Sequence, residues 1–95
     1  MGSIIINRPH NECGKIATMD ITINGKNQQF KDSIEDDETK TIDVPDGDYK
    51  VFVEQQKKSN KLEFPISGNS VNLTATIFPK EGKIEIEKVV LSLNP

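Results

Sequence analysis

The run Val44-Pro45-Asp46-Gly47-Asp48-Tyr49-Lys50-Val51-Phe52-Val53 sets a proline–glycine turn directly ahead of strict two-residue alternation, and this constrains the fold more than any other stretch. Proline presets its own φ and glycine tolerates the angles that follow, so the chain turns there. Tyr49, Val51 and Val53 then alternate with Lys50, Phe52 and Glu54, the period of a β-strand with one buried face. The period recurs. Ala17, Met19, Ile21 and Ile23 alternate with polar residues, as do Leu62, Phe64 and Ile66, and then Val71, Leu73, Ala75 and Ile77. No segment sustains the three-and-four spacing of an amphipathic helix. The pattern predicts an all-β chain, a two-layer antiparallel β-sandwich of seven to eight strands. Uneven strand lengths favour two packed sheets over a closed barrel.

Finer expectations follow from local chemistry. Ile4, Ile5 and Ile6 read as a short, wholly apolar strand stopped at Asn7-Arg8-Pro9. Pro9 to Lys15 is irregular. Asn24-Gly25 favours a two-residue type I′ hairpin, with a short partner strand around Asn27 to Lys31 that points Phe30 inward. Asp32 to Glu38 holds five carboxylates in seven residues, which predicts a solvated loop anchored only by Ile34. Thr39 to Val44 resumes a strand, and Gln55 to Asn60 reads as a loop. Pro65 assigns Leu62 to Ile66 to a sheet edge, where a missing N–H costs nothing. Ser67-Gly68-Asn69 makes a turn. Val71 to Ile77 is the longest alternation and reads as a central strand, followed by a turn on Lys80-Glu81-Gly82. In the last segment Ile84 and Ile86 fall on even positions but Val89, Leu91 and Leu93 on odd ones, which calls for a bulge or a strand crossing between sheets.

Ninety-five residues make one domain, 1–95, whose core is thin. Twelve isoleucines, no tryptophan and five aromatic residues (four Phe, one Tyr) put the weight on β-branched packing. A net charge of -3 and a pI near 5.1 argue against a nucleic-acid partner, which needs a basic patch to displace counterions. Lys57, Lys58 and Lys61 form the only basic cluster and flank an expected loop. A lone cysteine, Cys13, allows no internal disulfide. The Met1 to Arg8 segment lacks the basic region of a signal peptide, and no apolar run is long enough for a membrane span, so a cytoplasmic setting is the default expectation. An excised domain of an extracellular protein would read the same way.

The segments Asp20-Ile21-Thr22-Ile23-Asn24-Gly25-Lys26 and Thr41-Ile42-Asp43-Val44-Pro45-Asp46-Gly47-Asp48-Tyr49-Lys50-Val51-Phe52-Val53 resemble the PEGA-type and transthyretin-like (carboxypeptidase regulatory-like) β-sandwich modules. The resemblance runs over roughly 4–78, with a strand, an Asn-Gly turn, a strand and a Pro-x-Gly-x-Tyr turn in that order. The chain is also similar to small bacterial proteins of unknown function that open on an Ile-rich strand and an arginine. What the resemblance implies is an immunoglobulin- or prealbumin-like sandwich used for adhesion, display or protein contact, without catalysis. Tyr49 reads independently as a core residue whose hydroxyl reaches a backbone group upstream, in the manner of a tyrosine corner.

Chemistry-bearing residues are sparse. His10, Glu12 and Cys13 could begin a metal site or a thiol dyad, but the sequence has no second His or Cys to complete either. Hydrolytic carboxylate pairs need a cleft that a chain of this size hardly provides, so no catalytic residue and no cofactor is assigned. The acidic stretch, with Asp36, Asp37 and Glu38 at its centre, is either a docking surface for a protein or, in the alternative, a calcium or small-ligand site; it lacks the regular spacing of a calcium loop. The Asn72-Leu73-Thr74 sequon reads as coincidence inside a strand. Phe52 lies on the face opposite Tyr49, Val51 and Val53. It is either covered by the acidic loop or the last strand, or exposed as an anchor for a protein partner. Phe52, Asp36, Asp37 and Glu38 are therefore the candidate partner-binding residues of a non-enzymatic interaction module, which is expected to act through the sheet face near Phe52, an exposed strand edge such as Leu62 to Ile66, or the acidic loop.

Overall fold

The computed structural model describes residues 1–10, 18–79 and 86–94. Among them the chain is all-β, with eight strands: β1 Gly2–Arg8, β2 Met19–Asn24, β3 Gln29–Ile34, β4 Glu38–Val44, β5 Gly47–Gln55, β6 Lys58–Ile66, β7 Ser70–Pro79 and β8 Ile86–Leu93. They form two four-stranded sheets, ordered β4-β1-β7-β8 and β3-β2-β5-β6. All neighbouring pairs are antiparallel except β1 and β7, which run parallel. Ala17, the Lys80-Glu81-Gly82 turn, Ile84, Glu12 and Cys13 lie outside the described residues.

The core is the seam between the sheets. Ile4 and Ile6 from β1, Met19, Ile21 and Ile23 from β2, Val51 and Val53 from β5, and Leu73 and Ala75 from β7 are all buried there. Each set occupies alternate positions of its strand, so the two-residue period places every one on the same side. Apolar surface removed from water at about 25 cal/mol per Å² is the term that holds the layers together. The β7 assignment as a central strand holds, since β7 lies between β1 and β8. Likewise β6, which carries Pro65, lies at an edge.

Among the described connections, β2 to β3 and β5 to β6 are hairpins within a layer, and β3 to β4, β4 to β5 and β6 to β7 are short crossings between layers. The Pro45-Asp46 turn takes the chain from β4 in one sheet to β5 in the other, where the Tyr49 hydroxyl donates to the Pro45 carbonyl at 2.5 Å. The expected tyrosine corner is therefore present. A register shift between Phe78 and Pro79 leaves one extra residue in β8: Phe78 pairs with Lys88 and Pro79 with Ile86. This bulge accounts for the change of apolar parity along the last segment.

Four local expectations are corrected. β1 is not uniformly apolar inside: Ile4, Ile6 and Arg8 point into the seam while Ser3, Ile5 and Asn7 share the outer face. Second, β2 and β3 are joined by four residues, with Asn24 paired to Gln29 and the Gly25 amide donating to the Gln28 carbonyl at 2.8 Å. Gly25 is needed for space, because a Cβ there would stand 2.9 Å from the Tyr49 ring. Third, the acidic stretch is mostly strand: β3 runs to Ile34, β4 starts at Glu38, and only Glu35, Asp36 and Asp37 connect them. Asp32 and Lys40 fall on the inward rows of these edge strands, so like-charge repulsion is relieved by a cation in the same place. Fourth, the loop after β5 is a two-residue hairpin. Gln56 and Lys57 both adopt left-handed φ, 51° and 64°, the geometry of a type I′ turn without its preferred residues.

Candidate functional site

Phe52 is on the outer face of the β3-β2-β5-β6 sheet. Its register neighbours are Thr22 on β2 and Lys61 on β6, and the Lys50 ammonium stands 6.0 Å from its ring centroid. The ring is half-buried. Two depressions meet at Asn24 and Phe52: one of about 520 Å³ also lined by Asp20, Thr22, Lys31, Glu54 and Ser59, the other of about 980 Å³ continuing past Tyr49, Lys50 and Glu63 to the Gly25–Gln28 connection. Asp32, at the β3 end of the acidic stretch, lines the smaller depression, whereas neither 35–38 nor β8 contributes to these walls, so Phe52 is flanked by its own sheet and β8 does not cover it. Lys50 is held by Glu63 at 2.9 Å, and this ammonium, first as hydrogen-bond donor and then as a charge, keeps the Glu63 carboxyl below its ordinary pKa.

Asp36, Asp37 and Glu38 lie together at the crossing from β3 to β4, away from the Phe52 depressions. Much of their hydrogen-bonding capacity is spent on the turn itself. Glu38 Oε1 accepts from the Glu35 amide at 2.9 Å, the Glu38 amide donates to the Glu35 carbonyl at 3.2 Å, and Lys40 Nζ approaches Glu38 Oε2 at 3.6 Å. Asp36 Oδ2 lies 2.5 Å from His10 Nδ1. Asp37 is exposed and takes a left-handed φ of 59°. Among the described residues no group of three or more His, Cys, Asp or Glu side chains converges as a metal site would require. Nor does any helix there have the length and apolarity to cross a membrane.

Beneath that turn lies Arg8, which reads from sequence only as part of a strand stop. Arg8 is fully buried, and its Nη1 donates to the Ile34 carbonyl at 2.8 Å. Burial lowers the guanidinium pKa and the nearby Asp36 carboxylate opposes that shift. The parity Ile4, Ile6, Arg8 was the signal that could have placed it inside.

Gln55 is the second buried polar residue. It ends the inward row of β5, is 4% exposed, and neither its Nε2 nor its Oε1 has a hydrogen-bond partner among the described residues. An unsatisfied buried amide costs roughly 1–3 kcal/mol, whereas an apolar residue of similar size does not carry that penalty. Gln55→Leu is therefore expected to raise stability by about 1 kcal/mol in urea unfolding. A loss of stability of that size would show that the amide is solvated or bonded in solution.

Family models, curated proteins and solved structures offer no match to this chain.

Proposed function

We propose that the protein is a non-enzymatic β-sandwich module that binds another protein through the outer face of the β3-β2-β5-β6 sheet, with Phe52 as anchor. The observation that carries this reading is a half-buried aromatic ring at the junction of two contiguous depressions, framed by charged and polar side chains. Aromatic anchors within a polar frame are where binding energy concentrates in protein interfaces. The PEGA-type and transthyretin-like kinship is part of the proposal; the two-sheet sandwich and the Pro45-x-Gly47-x-Tyr49 turn opening β5 support it. The acidic turn is a weaker docking surface, because Asp36 and Glu38 already have intramolecular partners. The same engagement weighs against the calcium alternative.

Affinity capture from a lysate of the source organism tests the proposal, comparing the native protein with Phe52→Ala and with an Asp36→Asn, Asp37→Asn, Glu38→Gln variant. The expected result is a partner retained by the triple variant and lost with Phe52→Ala, whose truncation should cost 2 kcal/mol or more of binding, roughly a thirtyfold drop. Loss in the triple variant alone would move the site to the acidic turn. Absence of any partner would favour a small ligand.

A further inference from the structure

The depression beside Phe52 carries a feature that specifies its occupant. Asp20 on β2 and Glu54 on β5 are direct cross-strand partners, both exposed on the outer face. Like charges so placed destabilise a sheet, because their Cβ atoms stand only about 5 Å apart. Neither carboxylate forms an ion pair with a described residue. Of the surrounding lysines, Lys50 is bound to Glu63, while Lys31, opposite Thr22 in register and lining the same depression, and Lys61, opposite Phe52, pair with neither acid among the described residues. Phe52 is the next outward residue along β5 from Glu54 and the diagonal neighbour of Asp20.

An aromatic face edged by two uncompensated carboxylates matches one side chain best. A guanidinium is planar and weakly hydrated, stacks on a ring, and directs its N–H donors in its own plane toward carboxylate oxygens. A lysine ammonium is a strongly hydrated point charge and satisfies only the Coulombic part. We infer that this face of β2 and β5 is a docking site for an arginine side chain carried on an extended segment of a partner protein. The inference rests on the reading of the protein as an interaction module. The bound guanidinium relieves the Asp20–Glu54 repulsion, and the depression running on toward the Gly25–Gln28 connection takes up the residues that flank the arginine.

Selection of a displayed random-peptide library on the intact protein, followed by amide-shift NMR titration with the recovered peptides, tests this. Expected are peptides enriched in arginine over lysine, shifts centred on Thr22, Phe52 and Glu54, and binding roughly tenfold weaker for Asp20→Asn or Glu54→Gln. Those two variants should melt no lower than the native protein, because each removes a like-charge contact. Recovery of peptides without arginine, or of none, would overturn the inference, as would unchanged affinity in both variants. Should Phe52→Ala abolish peptide binding while Asp20→Asn and Glu54→Gln leave it intact, the interaction reading stands and the arginine assignment falls. Should Phe52→Ala have no effect either, both fall.

Discussion

Arg8→Ala lowers the stability of the fold by about 3–5 kcal/mol, the loss that follows when one partner of a buried charge interaction is removed. Two costs combine. The truncated side chain leaves a void at the end of the Ile4, Ile6, Arg8 row, where the residue is 0% exposed. The Ile34 carbonyl loses the donor that holds it at 2.8 Å, and the Asp36 carboxylate, its side chain only 12% exposed, loses the nearest buried cation. For a domain of this length each kcal/mol lowers the melting temperature by roughly 4–8 °C, so a fall of about 12 °C or more is expected by far-UV circular dichroism.

The contrast that separates charge from volume is Arg8→Met combined with Asp36→Asn. This pair keeps most of the packing volume and removes both charges, and replacing buried ionic groups by apolar ones of similar size is often neutral or stabilising. The double variant still leaves the Ile34 carbonyl without its donor, so a loss of about 1–3 kcal/mol, smaller than that of Arg8→Ala, is expected. If Arg8→Ala itself changed stability by less than about 1 kcal/mol, the guanidinium would have to be solvated, and the seam beneath the β3–β4 turn would be open to water.

What the sequence revealed depended on whether a strand's neighbours resemble it. β2, β5 and β7 lie between other strands, and apart from Gln55 at the end of β5 the buried residues of their inward rows, such as Ile21, Val51 and Leu73, are apolar, so period alone located them. β3 and β4 lie at edges where an inward position can still reach water. Asp32 and Lys40 sit at such positions and meet at 3.9 Å, which hid both strand ends inside an apparent acidic loop. Inward-pointing charges also discourage another chain from adding to those edges. The turn at Gln56 and Lys57 was invisible because neither residue advertises a left-handed backbone. For the candidate site, parity alone set Phe52 opposite Tyr49. The facing of Asp20 and Glu54 depends on β2 pairing with β5, a partner distant in sequence, and no local pattern encodes that.

Leu73 and Leu93 give the sharpest test of the packing. They are direct cross-strand partners on β7 and β8, both on the apolar parity of their strands, yet Leu73 is 0% exposed and Leu93 is 52% exposed. The difference is positional. β7 is flanked by β1, which sets Ile6 beside Leu73, whereas β8 is the last strand of its sheet among the described residues. Leu73→Ala should cost about 3 kcal/mol, from lost transfer free energy together with a cavity that the surroundings fill poorly. Ile6, on its neighbouring strand, is β-branched and stiff at χ1, so it cannot swing into the space. Leu93→Ala, by contrast, removes side-chain surface that is already half in water and should cost under about 1 kcal/mol. The ratio of the two, measured by urea unfolding, reads out whether β8 is an edge strand in solution. Near-equal losses would mean that Leu93 is covered as deeply as its partner, and that another chain packs along β8.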